Sequence, residues 1–297
     1  MKWNSGWLIV GLLLAAGGCN SGGSVEPSPA GAPNDGGGGA GGPSSGGGDG
    51  TGGSGSVIGL GQCSTAGDHA GAGRIWVGDV QDGESEVMRL LIAETGEFRW
   101  LAGDGWFQQM FGTFQADSTG VSSTDAVWVW VDGLTFLETR STAVNLWATL
   151  SDPGSLTIEY QSATDPSHAG MSTLAACDSV YLRESSLAIL AGSYTGLWDS
   201  YSLAIDDGGA VFYQNSRTNC VGNGSAGLID PAHNMYRMEI ELENCTAELA
   251  VALNGLTFTG LGYLGDSGDG AINDFAEFAL SSEKNGWLQI WNLVGRR

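Results

Sequence analysis

Basic residues are scarce in this 297-residue chain: 11 Lys plus Arg stand against 33 Asp plus Glu, for a net charge of −22. A field of that sign repels polyanions, so nucleic acid and anionic lipid headgroups are excluded as direct partners. Histidine is nearly absent. His69, His168 and His233 are scattered, and no two cysteines lie at CxxC spacing, which leaves no zinc pattern. Past the first 18 residues no stretch is apolar for the roughly 18 residues that a transmembrane helix needs. Helical periodicity is almost missing as well. No Ser-His-Asp constellation, P-loop or dinucleotide fingerprint is present, so the sequence predicts neither an enzyme nor a cofactor.

What is present begins at the N-terminus. Lys2 precedes an apolar run from Trp7 to Ala16, too short to span a bilayer, and small residues then lead to a cysteine. The string Ala16-Gly17-Gly18-Cys19 resembles the lipobox of bacterial lipoproteins, with Ala16 where Leu is usual. The resemblance implies a signal peptide over 1–18, cleavage before Cys19, and diacylglycerol on the Cys19 thiol. Membrane contact then runs through the lipid anchor. Asn20 follows the cysteine, and by resemblance to the enteric sorting rule this implies export to the outer membrane. The resemblance covers 19 residues and implies an address, not an activity.

Residues 20–62 carry 18 glycines among 43 residues and no aromatic side chain. Such a segment buries too little apolar area to offset its ordering entropy, so 19–62 is expected to be a disordered tether with a root-mean-square span of roughly 35 Å. From Cys63 onward aromatic residues recur, and period-two segments bounded by turn residues take over. GRIWVGDV, EVMRLLIAE, EFRWLAG, DAVWVWVD, AVNLWATL and SLTIEY lie in the first half. SYSLAID, AVFYQN, YRMEIEL, LTFTGLGYL, DFAEFAL and WLQIWNL lie in the second. The expected fold is all-β, with two consecutive small antiparallel up-and-down barrels or sandwiches that are loosely lipocalin-like, over 63–190 and 191–297. Strands shorter than about ten residues argue against an outer-membrane barrel.

The halves also resemble each other. LIAETGEFRW (91–100) overlies LAIDDGGAVF (203–212), Gly112-Thr113-Phe114 overlies Gly224-Ser225-Ala226, and Trp76-Val77-Gly78 matches Tyr194-Thr195-Gly196. Between them Leu187, Ile189 and Leu190 suggest one helical turn. With Cys19 assigned to lipid, four cysteines remain, and an exported chain would oxidise them. Three pairings are possible. Cys63–Cys177 with Cys220–Cys245 keeps each bridge within one half.

Candidate sites are few. In Ala126–Val131 the period of two places Trp128 and Trp130 on one face and three valines on the other, and Trp287 and Trp291 share a face of the last strand. These tryptophans either fill a barrel interior or seam, or line a ligand pocket or sugar platform. Asp266, Asp269, Asn273 and Asp274 form a weak calcium candidate whose register departs from an EF-hand. Gly265-Asp266-Ser267-Gly268 resembles the nucleophile string of chymotrypsin-like proteases, but Asp269 replaces the next glycine. Thr173–Cys177 resembles that family's histidine segment without its histidine. Asn223-Gly224-Ser225 and Asn244-Cys245-Thr246 match the glycosylation sequon and read as turns. Glu239, Glu241 and Glu243 read as a solvated row. Together these features point to non-catalytic binding of a small apolar or sugar ligand, or of an envelope protein. A structural role on an outer-membrane complex ranks second and hydrolysis third.

Overall fold

The computed structural model describes residues 63–64, 73–79, 87–102, 108–116, 120–131, 139–152, 154–196, 200–248, 250–267 and 271–297. The expected signal peptide, the lipidation site Cys19, the linker 19–62 and Asp269 lie outside the described residues.

Nine strands make the first sheet: β1 (Arg74–Asp79), β2 (Val87–Ile92), β3 (Glu97–Ala102), β4 (Gln108–Thr113), β5 (Gln115–Ala116), β6 (Val121–Val131), β7 (Thr139–Asp152), β8 (Ser155–Ser162) and β9 (Ala169–Ala176). β4 pairs with both β3 and β6, and β1 pairs with both β2 and β9. Eight strands therefore close into a barrel, and β5 is a two-residue extension on the start of β6. Alternate residues point inward, so Leu90, Ile92, Phe98, Leu146, Leu156 and Ile158 meet in one interior core.

A second closed barrel follows: β10 (Gly192–Gly196), β11 (Tyr201–Ile205), β12 (Ala210–Asn215), β13 (Val221–Leu228), β14 (Tyr236–Glu243), β15 (Leu256–Gly265), β16 (Phe275–Lys284) and β17 (Trp287–Arg296). Its alternation is clearest in β14, where Tyr236, Met238, Ile240 and Leu242 are buried while Arg237, Glu239, Glu241 and Glu243 are exposed. The glutamates are a solvated row, as expected. An apolar interior under such a charged exterior is the inverse of a transmembrane barrel, which needs an apolar band facing lipid. The expectation of short strands fails in places: β6 and β7 run to 11 and 14 residues, and β15, β16 and β17 to 10 each.

The barrels repeat one plan strand for strand, including a turn detail. Gly96 (φ +86°) and Gly209 (φ +84°) close corresponding hairpins, and their carbonyls accept from Phe114 N at 2.8 Å and Ala226 N at 2.7 Å. Both need the left-handed backbone that glycine adopts without strain. Asn223-Gly224-Ser225 is not a turn but the middle of β13. The physical reason is close approach of β14: a Cβ on Gly224 would overlap the Glu239 carbonyl oxygen and lie 2.7 Å from Ile240 Cα. Gly224→Ala is therefore expected to cost about 2–3 kcal/mol, read as a lower denaturant midpoint at unchanged slope.

Two single-turn helices join the barrels: α1 (Asp178–Tyr181), which the sequence did not suggest, and α2 (Leu187–Leu190), which it did. Ser186 caps α2 by accepting from Ile189 N at 3.0 Å. The disulfides join Cys63 to Cys177 and Cys220 to Cys245.

The barrels meet over a third apolar cluster. Ile75 and Leu91 from the outer face of the first barrel pack on Leu261 and Tyr263 of the second, with Val180 and Tyr181 of α1 and Met235 beside them. Several polar groups inside this seam pair with one another. Arg89 Nη2 lies 3.0 Å from Glu277 Oε1, and Glu277 also accepts from Tyr263 Oη at 2.6 Å and Asn292 Nδ2 at 2.9 Å. Burial, then the Glu277 charge, pushes the Tyr263 phenol well above its ordinary range, so it stays a donor. Farther along, Arg99 donates to Ser281 Oγ at 2.9 Å and to the Thr259 carbonyl at 3.2 Å.

Candidate functional site

Strand β6 explains its own two-faced sequence. Its valine face turns outward, where Val129 is fully buried and β17 packs over β6 and β7. Thr139 donates to the Leu288 carbonyl across this contact, and Gln289 Nε2 donates to Thr139 Oγ1 at 3.2 Å. The tryptophan face turns into the first barrel. Trp128 packs against the interior core, with the half-buried Trp130 ring 5.4 Å away.

Trp128 stands at the wall of an open cavity of about 390 Å³ at one end of that barrel. Met88, Trp100, Met110, Tyr160 and Met171 share its apolar lining, and Gln108, Gln109 and Ser172 supply polar groups. The bottom is closed by the interior core. The inward side chains arrive by alternation: Met88 from the start of β2, Trp100 from the end of β3, Met110 from β4 and Tyr160 from β8. The rings stand nearly perpendicular. Trp100 and Tyr160 lie 5.5 Å apart at 82°, and Trp128 and Tyr160 lie 5.8 Å apart at 71°. Tyr160 is held over Gly170 on β9, where a Cβ would come within 2.6 Å of the ring. The Trp100 indole N–H is directed at Met88 Sδ, 3.0 Å away.

The other expected sites resolve differently. Trp287 and Trp291 pack on the interior core of the second barrel, and Trp291 makes edge contacts with Tyr213 at 4.8 Å and Phe258 at 5.4 Å. Both Asp266 carboxylate oxygens accept from Arg183 at 2.7 Å, and Asn273 Oδ1 accepts from the same guanidinium at 3.0 Å. The Arg183 hydrogen bond holds the Asp266 carboxyl below its usual range. Asp274 is engaged separately, accepting from Ser267 N at 2.8 Å and from Ser267 Oγ. Of the described oxygens considered for calcium, those of Asp266 and Asn273 thus tie the β15–β16 loop to Arg183 of the inter-barrel joint, and those of Asp274 bond within the loop. Ser267 is engaged by Asp274 within that loop.

Sequence reasoning found Trp128 but missed Met88, Trp100, Met110 and Tyr160. Their signal was present: Phe98 and Trp100, like Ile158 and Tyr160, lie two apart and share a face. Which end of the barrel stays open depends on pairing between distant strands.

No family model matches the chain, and no curated protein matches it. Among solved structures it is similar to two crystal structures of the vaccine antigen transferrin binding protein B (TbpB) from Haemophilus parasuis Hp5. One is a double mutant, at 8% identity with a TM-score of 0.27, and the other a single mutant, at 7% with 0.25. Each alignment covers 76% of this chain and 63% of the TbpB chain, so the chain spans less than two thirds of that protein's resolved length. At those scores the likeness carries no argument about function or partner.

Proposed function

We propose that this chain is a lipid-anchored envelope protein, held to the outer membrane through Cys19, whose first barrel binds a small ligand without chemistry while the second barrel serves as its support. One observation carries the reading: the first barrel leaves an aromatic-lined cavity open at one end, whereas the second fills its interior with Trp291, Tyr213 and Phe258. A concave, mostly apolar cup with a few polar groups is the usual form of a small-molecule site.

Native mass spectrometry of protein purified from the envelope tests the reading directly. The expected spectrum carries an added mass that Trp128→Ala loses. The two barrels separate binding from packing. Trp128→Ala is expected to abolish retention at a modest stability loss, while Trp291→Ala costs about 3 kcal/mol and leaves retention intact. Equal destabilisation in both variants, with no added mass in any preparation, would return Trp128 to the core and remove the binding role.

The anchor has its own test. A thioether to lipid requires a thiol, so Cys19→Ser is expected to move the protein from the membrane fraction to the soluble fraction, or to leave the precursor uncleaved. Wild-type fractionation of Cys19→Ser would overturn the anchor and leave the cavity argument untouched.

A further inference from the structure

Resting on that binding reading, we propose that the cup of the first barrel takes a lipophilic cation, a methylated ammonium group bearing apolar substituents, in preference to an anion or a sugar. The walls come first. Trp100 and Trp128 each meet Tyr160 at a steep angle, 82° and 71°, so the rings stand as adjoining sides of a box and not as a flat platform. Aromatic faces carry negative potential, and boxes of this kind suit a cation that has few hydrogens to donate.

The lining's polar chemistry points the same way. Among the described residues it contains no Lys or Arg to neutralise an anion and no carboxylate to grip sugar hydroxyls. The Trp100 N–H, a donor a sugar or anion would use, is already directed at Met88 Sδ. A primary ammonium, strongly hydrated, would lose water here for few acceptors. A methylated ammonium sheds its water at lower cost.

Charge acts in the same direction. The turn that joins β8 to β9 lies at this end of the barrel and carries Asp165, in a chain whose net charge is −22. Hydrogen bonds from Ser167 hold the exposed Asp165 carboxyl below its ordinary range, so it stays charged. A field of that sign raises the local concentration of cations and lowers that of anions, in a manner that salt screens.

Four probes decide the matter, each kept below its solubility limit and followed by tryptophan fluorescence and calorimetry on the intact folded protein. They are phenyltrimethylammonium, its neutral isostere tert-butylbenzene, benzenesulfonate and maltose. The expected result is a Kd for phenyltrimethylammonium about tenfold below that of tert-butylbenzene, with the preference shrinking as salt rises. Gln108→Lys, at the half-buried rim, should abolish binding of the cation while tert-butylbenzene binds as before, a split that a folding defect would not produce. Equal or tighter binding of tert-butylbenzene, or a preference for benzenesulfonate or maltose, overturns the cation assignment and leaves a binding cup. If none of the four binds although native spectra show a retained mass, the assignment also falls. If no probe binds and no mass is retained, the binding reading falls with it.

Discussion

Glu277→Ala is expected to cost about 3–5 kcal/mol, the range for breaking a buried ion pair by removing one partner. Glu277 is 2% exposed, and one substitution withdraws its carboxylate from Arg89 of the first barrel and from Tyr263 and Asn292 of the second. The loss falls on the seam, so it should show as cooperativity lost between barrels, with one urea transition becoming two. Glu277→Gln keeps an acceptor for Tyr263 and should cost less. Replacing the pair together, Arg89→Met with Glu277→Leu, should recover much of the loss, because apolar side chains of similar volume can fill such a site. A loss below about 1 kcal/mol for Glu277→Ala, with a single unchanged transition, would mean that the apolar cluster around Leu261 and Tyr263 holds the barrels together alone.

How this seam escapes the sequence follows from periodicity. Arg89, Arg99 and Glu277 occupy outward positions, where a charge ordinarily means solvent. A strand's alternation tells inside from outside but not whether the outside faces water or another sheet. Val129 was the legible exception, since an apolar residue opposite a tryptophan face demands a second cover. Alternation also revealed the strands whose own side chains fill the barrels, such as β2, β8 and β14. It failed for β4, β9, β10 and β13, which are rich in Gly, Ser, Gln and Ala. There the interior volume is supplied from a neighbour: Tyr160 lies over Gly170, and Tyr201 lies over Gly196, where a Cβ would come within 2.6 Å of the ring. Such a strand shows little hydrophobic pattern because its partner provides the bulk. The candidate site was half legible for the same reason. Trp128 announces itself within one segment, whereas the box it forms with Trp100 and Tyr160 exists only after β3, β6 and β8 are placed around one ring.

Removing the disulfides should produce the largest stability change, unequal between the two bridges. Cys63 and Cys177 are 114 residues apart, and Cys220 and Cys245 only 25. In the chain-entropy treatment a cross-link stabilises by restricting the unfolded chain, and the effect grows with the logarithm of the loop. Cys63→Ser with Cys177→Ser is therefore expected to cost about 5 kcal/mol, and Cys220→Ser with Cys245→Ser about 3.5 kcal/mol. Packing adds to the first difference. Cys177 is fully buried in the seam cluster, and its N–H donates to the Ile75 carbonyl at 2.8 Å, so the longer bridge ends where β1, α1 and the second barrel converge. Denaturant unfolding of each double variant under non-reducing conditions gives the comparison, with dithiothreitol on the wild type as a check that both losses appear together. The long-loop variant should also be the one whose transition splits, because its loss loosens the seam as well as the first barrel. Should the short-loop variant prove the less stable of the two, loop entropy would not be what these bridges contribute, and the tie of the Cys245 backbone to the Asn254 side chain, whose Oδ1 accepts from Cys245 N at 2.8 Å, would have to carry more of the second barrel than its loop length suggests.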